Sequence, residues 1–280
     1  MWADQLTAAE GEAVLALVAR ATAVDGTAGL NEDAHFALTD DSAAHLLQES
    51  DGTLVGYLQW QPDHSTAQLV VDPAHRRQGI GSDLLTRLEE RTPPAVWAFG
   101  DLPAARAFAV SRGLAPSRVL LKMSATLGEV PAPELPEGLT LRGFTPADAA
   151  ELLAVNAAAF ADHPEQGDLD ADGLARRMAE DWFDPEGLIL AFDRAGLAGF
   201  HWTKAEHGVG EVYVLGVHPR AQGHGYGRLL LQAGLSHLIE AGSPTVNLYV
   251  DAADRIAVRM YERAGFAEVH RDVLYTRTQE

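Results

Sequence analysis

The sequence predicts an α/β protein with two tandem domains, each a mixed, mostly antiparallel sheet flanked by helices. The 280-residue chain is long enough for two domains of ordinary size. The string Val71-Asp-Pro73 followed by Arg76-Arg-Gln-Gly79-Ile-Gly81 recurs at a constant offset of 146 residues, as Val217-His-Pro219 followed by Gln222-Gly-His-Gly225-Tyr-Gly227. In each half, short hairpin connections join the early strands and helical crossovers join the later ones, which indicates a mixed sheet.

The first half predicts one long helix, followed by strands and helices in alternation. Thr7-Ala-Ala-Glu10 has the spacing of a capping box, which indicates a helix start, and Asp25-Gly26 indicates its end. Apolar runs bounded by turn residues predict strands, and apolar residues at helical spacing predict helices. We expect strands at residues 53–60, 68–71, 95–99 and 118–123, and helices at 83–90 and 103–111.

A proline-rich segment separates the two halves. Residues 126–138 contain several prolines and no apolar period, which is typical of a fairly stiff linker. We therefore expect domains at residues 1–125 and 139–280. In the second half we expect strands at 139–144, 188–192, 199–204, 211–217, 245–250 and 273–277, and helices at 145–160, 174–182, 226–240 and 254–263.

The composition argues against several classes of function. With 40 acidic and 21 basic side chains, the formal net charge is -19, so a nucleic-acid backbone would be repelled. The chain has no cysteine, which excludes disulfides, thiolate catalysis and zinc–thiolate sites. No apolar run has membrane-spanning length and no leader-like segment opens the chain, so we expect a cytoplasmic protein without a membrane partner.

The histidines do not indicate a metal site. A metal site on a helix or in a finger requires ligands at characteristic spacings, often including cysteine. The spacing of the second-half histidines matches neither pattern, and we expect no bound metal; they are His163, His201, His207, His218 and His224.

The duplicated glycine-rich string has the features of a phosphate-binding turn. Each copy follows an apolar strand and precedes a helix, which places exposed backbone N–H groups and the positive end of a helix dipole at one point. A single glycine-rich turn is weak support, but two copies in register favour a phosphate site. In an acidic protein, a few local cations such as Arg76, Arg77 and Arg228 would have to dominate at close range.

These strings resemble the acetyl-CoA signature Gln/Arg-x-x-Gly-x-Gly/Ala of the Gcn5-related N-acetyltransferase (GNAT) family. A second GNAT-like signature is Asp254-x-x-Ala257-x-x-x-Tyr261-x-x-x-Gly265-Phe266. The resemblance implies that acetyl-CoA is the co-substrate. The implied CoA-binding residues are, in the second half, Leu215, Gly216, Val217, Gln222, Gly223, His224, Gly225, Tyr226, Gly227, Arg228, Asp254, Arg255, Ile256, Ala257, Val258 and Arg259, and, in the first half, Leu69, Val70, Val71, Arg76, Arg77, Gln78, Gly79, Ile80, Gly81 and Ser82.

The resemblance also implies the catalytic groups. Backbone amides near Leu215 and Val217 would hold the pantetheine arm and the thioester carbonyl, because the strand ending at Val217 splays from its neighbour in this fold. Glu211 would accept the amine proton directly or through water, and Tyr261 would protonate the departing thiolate. The alternative is that Glu211 is a strand-end surface charge and Tyr261 only packs on the sheet.

The first half lacks both candidate proton-transfer groups. The repeat offset aligns Glu211 with Ser65, and alignment of Gly113 with Gly265 places Ala109 at the position of Tyr261. Neither Ser65 nor Ala109 can replace the group it aligns with. We therefore expect the first half to bind acetyl-CoA weakly or structurally and the second half to react.

A closer resemblance is to the mycothiol synthase family of tandem acetyltransferases, which acetylate the cysteinyl amine of cysteinyl-glucosaminyl-inositol. It rests on the strings Gly210-Glu-Val-Tyr-Val-Leu-Gly-Val217, Thr245-Val-Asn-Leu-Tyr249-Val-Asp251, His163-Pro-Glu-Gln-Gly167 and Phe200-His-Trp-Thr-Lys204. It implies substrate contacts at Glu32, Glu165, Lys204, Glu211 and Tyr249. Solvated surface charge remains the alternative for Glu165 and Lys204, and the surroundings of Glu32 indicate no particular role.

Two other functions remain open at this stage. The acceptor could be another small-molecule or peptide amine, since an acidic surface suits a cationic acceptor at least as well as a neutral sugar. The chain could instead be a non-catalytic acetyl-CoA sensor, although pure binding needs neither Glu211 nor Tyr261. In either enzymatic interpretation we expect a monomer with a small-molecule partner.

Overall fold

The computed structural model describes residues 2–161 and 166–277, apart from the side chain of Asp168. Within these ranges the chain forms two compact units. Unit 1 contains residues 2–121, 251–253 and 270–277, and unit 2 contains residues 122–250 and 254–269. The expected domains 1–125 and 139–280 differ from these units at the C terminus. The reason is strand pairing, because Val273–Thr276 pair antiparallel with Ala95–Ala98 in unit 1.

Unit 1 is a sheet with helices on both faces. The elements are β1 (Trp2–Ala3), α1 (Ala8–Asp25), α2 (Glu32–Phe36), β2 (Ala44–Ser50), β3 (Thr53–Gln61), β4 (Thr66–Val71), α3 (Ile80–Glu89), β5 (Ala95–Ala98) and α4 (Pro103–Ser111). Two strands, β6 (Leu114–Thr126) and β12 (Ala267–Arg277), each contribute residues to both units. The strand order of unit 1 is β1-β2-β3-β4-β5-β12, and every pair is antiparallel except β4 with β5.

Several local features of unit 1 follow directly from the sequence. The capping box is present, because Thr7 Oγ1 accepts from the Glu10 amide while Glu10 accepts from the Thr7 amide, and Gly26 ends α1 with φ +71°. The sequence predictions missed α2 and β2. The first three residues of β2 are all buried, so the strand lacks the alternation of apolar and polar residues by which a half-exposed strand is recognised.

Unit 2 has the same succession of elements. Its elements are β7 (Thr140–Gly143), α5 (Ala149–Ala159), α6 (Ala171–Met178), β8 (Leu188–Asp193), β9 (Gly196–Glu206), β10 (Val209–Val217), α7 (Tyr226–Glu240), β11 (Thr245–Asp251) and α8 (Arg255–Arg263). The strand order is β11-β10-β9-β8-β7, in which β10 and β11 are parallel and the other described pairs are antiparallel. Helix α6 begins and ends earlier than the expected 174–182.

Each sheet buries an apolar core on both faces. In unit 2, one core contains Phe200, Trp202 and Val214 beneath α5 and α6, and the other contains Leu215, Val217 and Leu230 beneath α7. The two faces of β10 therefore meet different helices, which determines what each of its side chains can contact. No helix within the described ranges is both long enough and apolar enough to cross a membrane.

Parallel pairing stops early in both units. Strands β10 and β11 pair only from Val209 to Val212, and β4 and β5 only at two positions, Ala67 and Gln68. The His218 amide donates to Ala198 on β9, and N–H groups alternate sides along a strand. The amides of Leu215 and Val217 therefore face away from β9, toward the edge that β11 has left.

Candidate active site

Each glycine-rich turn ends in an uncapped helix N-terminus. Gly79 precedes α3 with φ +91°, Gly225 precedes α7 with φ +82°, and neither helix receives a hydrogen bond from a capping side chain. Glycine adopts this left-handed conformation without the strain that a Cβ would add. The first-turn N–H groups of α7 and the positive end of its dipole are therefore available to an anion, as the glycine-rich string predicts.

The two turns share detailed geometry at the repeat offset. Gln222 Nε2 donates to the Val217 carbonyl at 3.2 Å, and Arg76 Nε donates to the Val71 carbonyl at the same distance. The amide of Arg220 donates to the His218 ring, as that of Ala74 does to the Asp72 carboxylate. Gly223 and Arg77 also share a positive φ, of +80° and +64°. The repeat is therefore a repeat of backbone conformation as well as of sequence.

One predicted phosphate ligand of the first turn is already engaged. Arg76 makes a bidentate ion pair with Asp25 of α1, with both nitrogen–oxygen distances at 2.7 Å. Bidentate pairs of this kind are strong and geometrically specific, and the pair raises the pKa of Arg76. Arg77 and Arg228 are exposed. The first turn therefore uses Arg76 to fasten itself to α1, whereas the second has Gln222 at this position.

Strands β9, β10 and β11 bring three predicted substrate or catalytic residues onto one face. Glu211 lies directly opposite Lys204 on β9 and beside Asn247 on β11. Directly paired residues of neighbouring strands point to the same face. Tyr249 lies two residues beyond Asn247, on the same face, just after β11 separates from β10, and the residue is 44% exposed. Glu211, Lys204 and Tyr249 thus flank the opening between the strands.

A β-bulge corrects the alignment of the two halves. Val212 pairs with Thr203 and Val214 with Trp202, so Tyr213 is an extra residue in β10, whereas β4 pairs with β3 without a shift. Counting by pairing partners, the position equivalent to Glu211 is Thr66, and the expected equivalence with Ser65 is wrong. Thr66 is a hydroxyl residue, so the first unit still lacks a carboxylate there.

Lys204 is held by aromatic rings and a carboxylate. Its Nζ lies 4.7 Å from the ring centroid of Trp182, 5.7 Å from that of Tyr213 and 3.1 Å from the Glu206 carboxylate. The side chain is only 16% exposed. The alternative of a fully solvated surface charge is therefore wrong for Lys204, because cation–π contacts and partial burial constrain the ammonium group.

Tyr261 is buried on α8 beside Phe266. Burial raises the pKa of its hydroxyl, and the nearby Asp254 carboxylate acts in the same direction. The phenol is therefore protonated at neutral pH and can act as a proton donor. Asp254, which the GNAT resemblance assigns to CoA binding, caps α8 by accepting from the amides of Ile256 and Ala257.

Gly227 in α7 and Gly81 in α3 lie at equivalent close contacts in the two units, where α7 approaches α8 and the sheet, and α3 approaches α4 and the sheet. A Cβ at Gly227 would lie 3.6 Å from Val217 and 3.7 Å from Met260. A Cβ at Gly81 would lie 3.7 Å from Val71 and 3.6 Å from Phe108. Met260 and Phe108 are thus equivalent, so their next neighbours, Tyr261 and the buried Ala109, are equivalent too. This agrees with the alignment made from the sequence.

The predicted site residues not yet described are Gly216, Glu32 and Glu165, and each lies in a different part of the chain. Gly216 lies where a Cβ would be 2.9 Å from Phe200, so a side chain there would collide with the core. Glu32 begins α2 in unit 1, next to the helix cap Asn31, which exchanges two hydrogen bonds with Gln68. Glu165 lies outside the described residues. Its predicted role, and that of Glu32, stay predictions.

The sequence patterns did not indicate the aromatic and basic residues around Lys204. They include Trp182, Tyr213 and Arg177, whose Nε donates to the Tyr213 hydroxyl at 2.8 Å. A partial signal was present, because Tyr213 lies inside the string that resembles mycothiol synthase. Trp182 and Arg177 come from segments distant in sequence, and only folding brings them to β10. Within residues 2–161 and 166–277, no three His, Asp or Glu side chains cluster as metal ligands would.

Family models match both halves of the chain. Residues 41–108 match an acetyltransferase (GNAT) domain, and residues 155–266 match the acetyltransferase (GNAT) family. Among solved structures, a GCN5-related N-acetyltransferase from Sphaerobacter thermophilus superposes with a TM-score of 0.73 at 24% identity, covering 98% of this chain and 94% of that one. A tandem GNAT protein from the clavulanic acid biosynthesis pathway gives 0.71 at 21%, with coverage of 96% and 95%. These likenesses establish the tandem GNAT fold.

Relatives at higher identity cover nearly the whole chain. The mycothiol acetyltransferase of Thermomonospora curvata is 47% identical, over 98% of this chain and 96% of the relative. That of Rhodococcus jostii is 46% identical, over 99% and 97%. Identity at this level along both halves is far above that of the structural neighbours. The chain, with its two GNAT domains, therefore belongs to the mycothiol acetyltransferase family.

Proposed function

We propose that this protein transfers acetyl from acetyl-CoA to the cysteinyl amine of 1D-myo-inositol 2-(L-cysteinylamino)-2-deoxy-glucopyranoside, the last step of mycothiol synthesis. The family membership supports the reaction and the acceptor. The structural observation that carries the proposal is the placement of Glu211 beside Lys204 and Asn247, at the point where β10 and β11 separate. This arrangement offers an acceptor-side carboxylate next to a cleft suited to the thioester.

Unit 2 contains residues suited to the pyrophosphate, the pantetheine arm and the thioester of acetyl-CoA. The uncapped first turn of α7, with Gly225 and Arg228, would bind the pyrophosphate. The amides of Leu215 and Val217, which face the open edge of β10, would hold the pantetheine arm and polarise the thioester carbonyl. No metal is needed for either contact.

The transfer balances with two proton-transfer groups. The acceptor ammonium loses a proton to Glu211, and the free amine nitrogen attacks the thioester carbonyl carbon. A carbon–nitrogen bond forms, the carbon–sulfur bond breaks, and the Tyr261 hydroxyl gives its proton to the leaving sulfur. The attached nitrogen still carries one proton more than the amide product, and its transfer restores the tyrosine, while Glu211 releases its proton to solvent. Glu211 and Leu215 lie opposite Lys204 and His201, which are three residues apart on β9. This separation is roughly 10 Å along a strand, so a water relay to Glu211 is the better route.

We propose that unit 1 is a binding unit without acetyl transfer activity. Its turn retains the glycine conformation, but Thr66 and Ala109 occupy the positions of Glu211 and Tyr261. We also propose that the substrate contacts include Lys204, Tyr249, Glu165 and Glu32. A cytoplasmic location without nucleic-acid partners remains the expectation from charge and composition, and a monomer remains a prediction.

A panel of amines tests the proposal. Purified protein is incubated with acetyl-CoA and each amine, including cysteinyl-glucosaminyl-inositol, simple aminoglycosides and a peptide N-terminus, and free CoA thiol is measured. We expect strong preference for the first compound. If another amine is acetylated and cysteinyl-glucosaminyl-inositol is not, the assignment of the acceptor is wrong, but the protein is still an N-acetyltransferase.

The Tyr261→Phe variant distinguishes an acetyltransferase from a non-catalytic acetyl-CoA sensor. The change removes one hydroxyl and keeps the buried ring. We expect turnover to fall by roughly 10²- to 10⁴-fold, the usual contribution of a general acid, with acetyl-CoA affinity retained. Retention of full turnover would exclude Tyr261 as the proton donor.

A further inference from the structure

The bulge at Tyr213 determines which face Glu211 occupies. Side chains alternate between the two faces of a strand, and a shift of one residue reverses every face. Glu211 and Val214 are three residues apart and would lie on opposite faces of a regular strand. Because Tyr213 is an extra residue, both face the side of Lys204 and Trp202. Without the bulge, with residues 214–217 in place, Glu211 would point toward the α7 side of the sheet.

Contacts from two directions hold Tyr213 in this position. Its ring centroid lies 5.0 Å from that of Trp182 and 5.4 Å from that of Trp202, both in tilted or edge-on geometry. Its hydroxyl accepts a hydrogen bond of 2.8 Å from Arg177 Nε, and Arg177 also donates to the Gly173 carbonyl within α6. Arg177 therefore ties the bulge to helix α6.

Unit 1 provides an internal comparison. Strand β4 pairs with β3 in regular register from Thr66 to Val71, without a bulge. The carboxylate is absent there as well, since Thr66 stands at the equivalent position. Among the described strands, the one that precedes the glycine-rich turn has both the bulge and the acceptor-side carboxylate in unit 2, and it has neither in unit 1. This co-occurrence is expected if the bulge serves the reaction at Glu211.

We propose that Arg177 and Tyr213 are positioning residues that hold the β10 bulge and thereby keep Glu211 on the acceptor face. The inference rests on the proposed function, because it assigns these residues a role in the reaction at Glu211. Neither side chain is required to touch the substrate. The charge-assisted hydrogen bond between them supplies the directionality that ring packing alone lacks.

Three substitutions test the positioning role. Tyr213→Phe removes only the hydroxyl, and Arg177→Met removes the donor. Arg176→Met, on the same helix, is the control for loss of one positive charge. We expect kcat to fall roughly 10- to 100-fold in the first two, the cost of a small misplacement at a reacting centre. The double variant should be no worse than either single change, and the affinity for acetyl-CoA should be unchanged.

Two further readouts separate positioning from general destabilisation. The acid limb of kcat/KM against pH should shift in Tyr213→Phe and stay in place in Arg176→Met, because only the former alters the surroundings of Glu211. Amide hydrogen exchange at residues 212–214, measured on free protein, should accelerate in Tyr213→Phe. Wild-type kcat in Tyr213→Phe and Arg177→Met, or unchanged exchange at the bulge, would overturn the inference.

These outcomes are distinguishable from failure of the proposed function. If no amine in the panel is acetylated, the proposed function fails. If Glu211→Gln retains full turnover, the role of Glu211 is rejected while the acetyl transfer stands. The exchange measurement does not depend on turnover and still decides whether Arg177 and Tyr213 hold the bulge. If Glu211→Gln is inactive while Tyr213→Phe is fully active, the function stands and the positioning role is rejected.

Discussion

Replacing Gly234 with alanine should destabilise unit 2, although alanine is the better helix former. Gly234 lies within α7, and an added Cβ would be 2.0 Å from His201 Nδ1 and 2.1 Å from its Cε1. The imidazole is fully buried and its Nδ1 hydrogen-bonds the Leu230 carbonyl at 2.9 Å. The ring cannot move without losing this bond, so a collision is unavoidable.

The magnitude follows from three contributions. Overpacking costs about 1–3 kcal/mol, and loss of the buried hydrogen bond costs about 1–3 kcal/mol. Helix propensity returns about 1 kcal/mol. The free energy of unfolding should therefore fall by about 3 kcal/mol. Gly11→Ala in α1 is the matched control, since the nearest atom to its added Cβ is 3.9 Å away, and it should gain about 0.5–1 kcal/mol.

Urea unfolding followed by tryptophan fluorescence measures both changes. The double variant Gly234→Ala with His201→Ala is the decisive addition, because it removes the ring that the new methyl group would strike. The two changes should then be less harmful together than their sum, with a favourable coupling of about 1–3 kcal/mol. If Gly234→Ala were as stabilising as Gly11→Ala, the packing argument would be refuted.

Three further predictions concern the turns, acid stability and the C-terminal strand. Gly225 and Gly79 both have a positive φ, and no atom lies within 4 Å of a Cβ added at either residue, so Gly225→Ala and Gly79→Ala should each cost about 1–2 kcal/mol of stability. Only Gly225→Ala should abolish acetyl transfer. An equal loss of activity in both variants would contradict the assignment of catalysis to unit 2. Burial lowers the pKa of His201 to about 4. As the pH falls below about 6.5, His201 is therefore protonated in the unfolded chain before it is protonated in the folded protein. The free energy of unfolding should drop by up to about 3 kcal/mol between pH 6.5 and 4. His201→Gln should flatten that part of the stability curve, and an unchanged curve would exclude this source. Tyr275→Phe removes a 2.6 Å hydrogen bond to buried Asp101 and should cost about 1–3 kcal/mol in thermal unfolding while turnover persists.

The glycine-rich turns could be predicted because their geometry is local. The positions of Gly79 and Gly225, the strand before each and the helix after each follow from neighbouring residues and their backbone preferences. The equivalence of Tyr261 with Ala109 followed from the spacing of the final helix and its glycine stop. Lys204 and Tyr249 were predicted from the family resemblance alone. The structure shows what contacts them: the Trp182 ring lies beside Lys204 Nζ, and Lys122 Nζ lies over the Tyr249 ring.

The bulge and the strand partners could not be predicted in this way. An extra residue in β10 changes the alignment of Glu211 from Ser65 to Thr66, yet Tyr213 looks like any other strand residue in the sequence. The C-terminal strand looked like the closing strand of the second half, and residues 270–277 joined unit 1 instead.

The sequence by itself determined that this protein has two related α/β halves and two helix N-termini that follow glycine-rich turns, and it indicated one candidate pair of proton-transfer residues. These are properties of short segments, in which spacing and backbone preference suffice. Only the tertiary structure decided which face Glu211 occupies, what surrounds Lys204 and where the last strand pairs. Register and packing depend on the free energy of contacts between segments that are distant in sequence. Local sequence patterns do not show which of the alternative contacts is the most favourable.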